Sequence, residues 1–476
     1  MIANLVGGRW QQAGTEDHLD VYDPASGEVI ERVPLSTRAD VDAAVAAAAA
    51  AFERWSRTPV MERVRLMFRF KALLEEHVEE LAAIVTRHHG KTLDEARGEV
   101  RRGIEVVDFA CGAPTLLQGR TLRGVSSDVD QDLYRYPVGV CAGIPPFNFP
   151  VMIPLWMFPL SVVAGNAFVL KPSERTPLGA VRLAELFLEA GFPEGVLNLV
   201  HGAKDVVDGL LEHPGVSAIS FVGSEPVARA VYRTAAQNGK RVQALGGAKN
   251  HLVVMPDVDF EVAAPAILNS AFGNAGERCL AGSVAVMVGE AADAVIDPLV
   301  ERAAALKVGP GDAPGTDVGP LIREDHRDRV AGYVARGAAE GADVLLDGRG
   351  LIGRRGYFLG PTILDRVSDG MTVGREEIFG PVLSIARARS LEEAIDTANR
   401  SALGNMAVIF TRSGRAGREF RDRVQAGMVG INVPVAQPFA FYPFSGWKGS
   451  FYGDLHVHGM DGVEFYTRKK VVVSRW

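Results

Sequence analysis

Cys279 stands in Phe272-Gly-Asn-Ala-Gly-Glu-Arg-Cys-Leu-Ala-Gly282, where a helical run meets a glycine-punctuated turn ahead of a strand. A cysteine works as a nucleophile when it is partly exposed, when nearby donors hold its thiolate, and when backbone N–H groups can receive a developing oxyanion. Most lone cysteines are inert, buried apolar residues; the glycine turn and the adjacent Arg278 set this one apart. Asn148, in Ile144-Pro-Pro-Phe-Asn-Phe-Pro150, is a polar amide inside an uncharged stretch. If buried it needs partners, or a task such as donating to an oxyanion; a structural loop amide is the alternative. Lys171 ends an apolar run in Val169-Leu-Lys-Pro-Ser-Glu174. A cation at a strand end can meet a nucleotide, and Glu174 can accept from ribose hydroxyls, although a solvated lysine reads the same way. Gly223-Ser224 closes Ile219-Ser-Phe-Val222 and opens a helix whose free N–H groups could hold pyrophosphate, yet no GxGxxG string accompanies it. Of ten histidines only His251 falls within a motif, where it reads as structural, and no HExxH or CxxC string points to a metal.

These residues must be positioned by regular elements. Ser36 and Thr37 can cap an Ala-rich helix from Val41 to Trp55, a second amphipathic run covers Glu62 to Arg87, and a third helix spans Leu93 to about Ala110. Asp128 to Val140 alternates as a strand or hairpin. From Ala167, strand-like runs (167–171, 196–200, 216–222, 241–245) alternate with helices. The first of these helices has Thr176 as cap, Pro177 at its first position and Gly191 beyond its end; the others cover 203–211 and 225–238. That order predicts a mostly parallel sheet covered on both faces, with ligands at its strand ends. A second alternation (strands 283–288, 382–386, 407–411, 429–433, with a helix at 391–399) predicts a second α/β domain. The tail from Val463 to Trp476 carries strand-like runs around Tyr466 and Val471–Val473, suited to pairing with the hairpin near Tyr134 or with another subunit.

The chain has 476 residues, 51 Lys plus Arg and 58 Asp plus Glu, for a net charge of −7. Two or three domains fit this length, and the mild acidity without long charge blocks argues against nucleic-acid or anionic-membrane partners. The 52 glycines follow no period, which excludes collagen-like chains. Three cysteines without disulfide or zinc spacing, and an N-terminus without a secretory or transit pattern, indicate a cytoplasmic protein. Tyr136–Leu170 is uncharged and long enough to cross a bilayer, but Pro137, Pro145, Pro146, Pro150, Pro154 and Pro159 interrupt it, which favours short buried elements.

Together, PFNFP, LKPSE, FVGS, the LGG near Leu245, the cysteine turn and Glu376-Glu-Ile-Phe-Gly-Pro-Val382 resemble the aldehyde dehydrogenase superfamily in order and spacing, over essentially the whole chain. The resemblance implies an α/β fold with a Rossmann-type NAD-binding domain (1–118 and 138–246). It adds an α/β catalytic domain (247–440) and a small β oligomerisation element (119–137 and 441–476). It implies NAD(P)-dependent aldehyde oxidation, in which Cys279 attacks the carbonyl while Asn148 and the Cys279 N–H hold the oxyanion, leaving a thioacyl-enzyme. Phe147, Lys171, Glu174, Gly223, Ser224, Leu245, Glu377 and Phe379 then match cofactor-binding positions. Glu174 favours NAD, since a 2′-phosphate would meet a carboxylate. The resemblance also implies a homodimer or homotetramer.

One departure is informative. Hydrolytic members carry Glu at the head of E-L-G-G-K, where it activates water; here the string is Ala244-Leu-Gly-Gly-Ala-Lys-Asn-His251. Water needs such a base, whereas a thiol with a pKa near ~8.5 is partly ionised unaided, so the acyl group should leave on a thiol. With GAKNH, the 147–159 string and Arg102-Gly-Ile-Glu-Val-Val-Asp-Phe-Ala110, the chain is similar to the CoA-acylating methylmalonate-semialdehyde dehydrogenases. That similarity implies CoA as acyl acceptor and loss of CO2, on methylmalonate or malonate semialdehyde. It also matches Arg102 and Arg278 to arginines that hold the substrate carboxylate. Glu277, two residues before the nucleophile, or another carboxylate could replace the missing base, which would make the chain a hydrolytic NAD(P)-dependent dehydrogenase of another aldehyde; a non-catalytic binding or structural paralogue is the other alternative.

Overall fold

The computed structural model describes residues 1–476. At its centre five parallel strands, Val140–Ile144, Ala167–Leu170, Leu197–Leu199, Val216–Val222 and Arg241–Leu245, are ordered with the third, second, first, fourth and fifth side by side. The strand order reverses between Val140–Ile144 and Val216–Val222, and such a switch point opens a crevice at the strands' carboxyl ends. Both faces are apolar because both are covered: 167–170 and 140–144 are buried along their whole length. Three further strands extend this sheet to eight. Asn4–Val6 and Arg9–Gln11 form an N-terminal hairpin at one edge, and Phe451–Gly453 pairs antiparallel with Arg241–Leu245 at the other. Sequence periodicity misses all three, because runs of three residues carry too little alternation, and it also misses Val140–Ile144, which is buried throughout and does not alternate.

A second, seven-stranded sheet is ordered Asp343–Leu346, Thr362–Asp365, Val382–Ala388, Gly282–Val288, Asn250–Val254, Met406–Phe410, Met428–Ile431. All its pairings are parallel except the first. The Asn250–Val254 strand is fully buried in the interior of the sheet, beside the middle strand Gly282–Val288. A third sheet of three strands joins Arg120–Ser126, Val129–Pro137 and Thr467–Arg475, with Lys470 opposite Tyr134. Of the 441–476 segment, therefore, Thr467–Arg475 lies in the three-stranded sheet while Phe451–Gly453 belongs to the eight-stranded one.

Three local expectations need correction. The Glu62–Arg87 run is two helices, Val60–Glu76 and Val78–His89, broken at His77. The His77 ring nitrogen Nδ1 lies 2.8 Å from the Leu73 carbonyl, so the side chain meets the end of the first helix. Thr176 does not cap the following helix, which runs Leu178–Glu189 behind Pro177; its hydroxyl donates instead to the Phe147 carbonyl at 2.9 Å. Tyr466 is not in a strand: it follows the Gly459–Phe465 helix and is buried against the main core. The uncharged, proline-rich stretch resolves into Val140–Ile144, a loop, the wholly buried helix Met152–Val163 and Ala167–Leu170. No helix of the chain is long and apolar enough to cross a membrane.

Candidate active site

The crevice at the switch point is a cleft of about 950 Å3 between the two large sheets, lined by residues of both. Phe147, Asn148, Lys171, Glu174, Gly223, Ser224, Cys279, Glu377 and Phe379 all face it. Lys171 follows the Ala167–Leu170 strand, and its Nζ lies 2.6 Å from Glu174 Oε2. Burial would raise the Glu174 pKa, but the Lys171 ammonium outweighs it and holds the carboxyl below its ordinary value. Gly223 and Ser224 end the Val216–Val222 strand and open the Glu225–Gln237 helix. A Cβ at Gly223 would lie 2.5 Å from the Phe221 ring, so the backbone is bare at the helix N-terminus, where a phosphate is best received. Leu245 stands apart: its side chain is in the core and its carbonyl accepts the Gly223 N–H at 3.1 Å, while the neighbouring Gly246 lines the cleft.

The cysteine turn is wound tightly. Asn274, Ala275 and Gly276 have φ of 54°, 52° and 72°, three left-handed residues in succession between the Phe260–Phe272 helix and the Gly282–Val288 strand. Such backbone is strained for alanine and persists only when its surroundings fix it. A Cβ at Gly276 would lie 2.1 Å from the Gly380 carbonyl, so the turn packs backbone to backbone on the Glu376–Val382 loop. The Glu277 carbonyl accepts from Asn274 Nδ2 at 2.8 Å and from Asn148 Nδ2 at 2.9 Å. The Cys279 carbonyl accepts from Asn250 Nδ2 at 3.0 Å and Asn405 Nδ2 at 2.9 Å. Cys279 itself is half-buried. Burial and the Glu377 carboxylate push its thiol up to about 12, opposed by the N–H groups of Cys279 and Leu280. Asn148 keeps one amide N–H beyond its bond to Glu277, at the cleft wall that holds Cys279.

Glu277 does not face the cleft. Its carboxyl is fully buried, with Oε1 3.3 Å from both the Ile322 N–H and His326 Nε2, and Oε2 3.6 Å from His89 Nε2. Burial pushes it up to about 8, against the Ile322 N–H and the more distant Lys91, Arg175 and Arg329 cations. His326 is driven down to about 4 and His89 well below its ordinary value, both mainly by burial. Burial thus favours the neutral form of all three groups, and the carboxyl is enclosed by Ile322, His326 and His89 instead of lining the cleft. His326 Nε2 also lies 2.7 Å from the Phe379 carbonyl, and the Phe147 ring packs against His89, His326 and Phe379. At the position of the missing base, the Ala244 methyl is buried in an apolar cluster, its residue paired with Phe221 and Tyr452. Glu377 Oε1 accepts the Ala248 N–H at 2.9 Å, and burial lifts its pKa to about 7.

The two arginines lie outside the cofactor cleft. Arg278 Nη2 meets Glu95 Oε1 at 3.1 Å and Nη1 meets Asn269 Oδ1 at 3.1 Å. Arg102 pairs with Glu105 at 2.8 Å, and its guanidinium lies 4.9 Å from the exposed Phe439 ring. Sequence reasoning missed Asn250 and Asn405, which hold the Cys279 carbonyl, and His89 and His326, which enclose Glu277. None has a local signature; only Asn250, inside GAKNH, sits in a noted string.

The aldehyde dehydrogenase family pattern matches residues 10–472. The malonate-semialdehyde dehydrogenase 1 of Geobacillus thermodenitrificans is 57% identical, covering 100% of this chain and 99% of its own. A crystal structure of methylmalonate-semialdehyde dehydrogenase from Oceanimonas doudoroffii superposes with a TM-score of 0.98 at 48% identity, covering 100% of this chain and 98% of that one. A structure from Sinorhizobium meliloti, complexed with NAD, does so with a TM-score of 0.98 at 45% identity and the same coverage. A cysteine on a strained turn, an amide beside it and a nucleotide-sized crevice at a Rossmann switch point thus agree with full-length similarity: the chain belongs to the aldehyde dehydrogenase family.

Proposed function

We propose that the protein is an NAD-dependent, CoA-acylating dehydrogenase of malonate semialdehyde or methylmalonate semialdehyde, yielding acetyl-CoA or propionyl-CoA with loss of CO2. The similarity to named malonate- and methylmalonate-semialdehyde dehydrogenases supports the substrate class. The observation that carries the choice of acceptor is the site itself. Ala244, the sequence position of the family's base, offers only a methyl packed in an apolar cluster, and the Glu277 carboxyl is enclosed by His89, His326 and Ile322.

The cleft fits NAD: a bare glycine backbone at a helix N-terminus, a Lys171–Glu174 pair at a strand end and Glu377 and Phe379 near the nucleophile. Lys171 and Glu174 would hold a ribose, Gly223 and Ser224 the pyrophosphate, and Phe147, Glu377 and Phe379 the nicotinamide end. Bound NAD supplies the hydride acceptor. Cys279 Sγ adds to the aldehyde carbon, and its proton leaves to solvent. Asn148 Nδ2 and the Cys279 N–H stabilise the oxygen as it gains charge. Loss of the aldehyde hydrogen as hydride restores the carbonyl as a thioester on Cys279. When CO2 departs, its bonding pair stays on the α-carbon as a thioester enolate, whose oxygen occupies the same donor site, and a proton then quenches the carbon. The CoA thiolate attacks the thioester, and Cys279 is the leaving group. Arg102 and Arg278 would hold the substrate carboxylate, exchanging their pairs with Glu105 and Glu95 for it.

We assign cofactor binding to residues 1–118 and 138–246, catalysis to 247–440, and assembly to 119–137 with the C-terminal strand. Exposed Leu122 and Trp476, and Val471 and Val473 at 60% each, on the three-stranded sheet support a homodimer or homotetramer built there, which light scattering would test. A nucleophile that must stay reduced suits the cytoplasm. The activity is tested by mixing the enzyme with malonate semialdehyde and NAD without CoA and weighing the intact chain. An acetyl group on Cys279, cleared on adding CoA, is expected; an unmodified chain alongside multiple turnovers would overturn the reading.

A further inference from the structure

The loop that presents Asn148 is hard to hold by regular means. Pro145, Pro146 and Pro150 remove three backbone donors between the Val140–Ile144 strand and the Met152–Val163 helix. What grips it is a pair of charges with no access to solvent. Lys91 Nζ lies 2.6 Å from Glu99 Oε2 and donates at 2.7 Å to the Asn148 carbonyl. Glu99 Oε1 accepts the Val151 and Met152 N–H groups at 2.8 and 3.2 Å. Both side chains are 0% exposed, and the ammonium also sits 4.1 Å over the Phe149 ring.

We propose that Lys91 and Glu99 are positioning residues for the oxyanion site, fixing the Asn148 peptide so that its amide reaches the carbonyl bound at Cys279. The proposal rests on the reading of Asn148 as oxyanion donor. A buried ion pair is a poor device for stability alone, because apolar residues of similar size often replace one without loss. What this pair delivers is geometry, since its contacts fall on residues 148–152. The same Leu93–Cys111 helix serves the nucleophile. Glu95, one turn before Glu99, accepts the Asn274 N–H at 2.5 Å and holds Arg278. One helix face therefore sets both halves of the site, the amide loop through Glu99 and the cysteine turn through Glu95.

The test uses the full-length enzyme and four variants: Lys91→Met/Glu99→Leu, which swaps the pair for apolar side chains, Glu99→Gln, Asn148→Ala, and Glu99→Gln combined with Asn148→Ala. For each, three quantities are measured: NAD affinity, the alkylation rate of Cys279 by iodoacetamide, and the pre-steady-state rate of NADH formation from malonate semialdehyde. Alkylation needs the thiol but no oxyanion donor, so it reports general damage. The double variant is expected to bind NAD and to be alkylated within about twofold of wild type, while NADH formation slows roughly 10- to 100-fold. Glu99→Gln should slow the same step about 3- to 10-fold, with little further loss when combined with Asn148→Ala, since both act through one group. Equal losses of alkylation and NADH formation would overturn the proposal, as would wild-type NADH formation in the pair variants while Asn148→Ala is slow. If Asn148→Ala itself is fast, the oxyanion reading fails and the proposal with it. Should the double variant not fold, the ratio measured for Glu99→Gln decides.

Discussion

The two walls of the cleft are built differently. On the cofactor side the ribose and pyrophosphate residues sit where strands of one parallel sheet end, Lys171 and Glu174 after one strand and Gly223 and Ser224 after another, with only Glu377 and Phe379 coming from a loop of the other sheet. On the chemical side nearly every contact joins distant parts of the chain: Asn148 with Glu277, Lys91 with Asn148, Asn250 and Asn405 with the Cys279 carbonyl, Glu95 with Arg278. A nucleotide can be received by backbone N–H groups at the end of a helix, which any strand–helix turn supplies. An oxyanion requires one amide and one thiol in fixed register, and the chain achieves that with buried polar pairs.

If that contrast holds, the chemical side should be the more fragile. Cys279→Ser should cost the most, at least about a thousandfold in kcat, because the alkoxide is much harder to generate and no neighbouring base assists it. A rapid-mixing record of NADH formation checks this. Asn148→Ala follows, with roughly 10²- to 10³-fold slower acylation and NAD affinity held within a few fold. Arg102→Ala should raise KM for malonate semialdehyde by about tenfold or more through the lost charge-assisted bond, yet leave propanal oxidation unchanged. Equal effects on both aldehydes would remove its role at the carboxylate. On the cofactor side, Glu174→Gln should raise KM for NAD only about 3- to 10-fold, with kcat preserved.

The smallest effect concerns Glu277. Its pKa, about 8 in the fold against an ordinary 4.5, means the native state holds a proton that the unfolded chain has already released. Its stabilising contribution is complete below about pH 4.5 and is lost as pH rises towards 8. Glu277→Gln keeps the shape without the titration. Its Tm should therefore fall by a few degrees less than wild type between pH 5 and 9, with CoA-dependent turnover at neutral pH within about twofold. CoA-independent release of free acid by the wild type that this variant loses would instead make Glu277 the base for water.

The same contrast explains what was legible in the chain. The alternation from Ala167 onward showed four of the five parallel strands because each is a contiguous run next to a helix, but not Val140–Ile144 at the switch point, whose uniformly buried run does not alternate; Gly223-Ser224 was found because the strand–helix junction is local. The cysteine turn stood out by its glycines. Lys91 and Glu99 did not, since a lysine after a glycine and a glutamate on an amphipathic helix look like solvated residues until the fold closes over them. His89 and His326 lie far apart in sequence and meet only around Glu277. Asn250 was visible within GAKNH, but not as the residue that binds the Cys279 carbonyl. The helix break at His77 was hidden because both halves continue one amphipathic pattern.

The central claim is that a missing carboxylate at Ala244 selects the acyl acceptor. It is tested most directly by following NADH formation from malonate semialdehyde with and without CoA while identifying the acyl product. Sustained turnover that requires CoA and ends in acetyl-CoA is predicted; sustained release of free acetate without CoA would contradict the account.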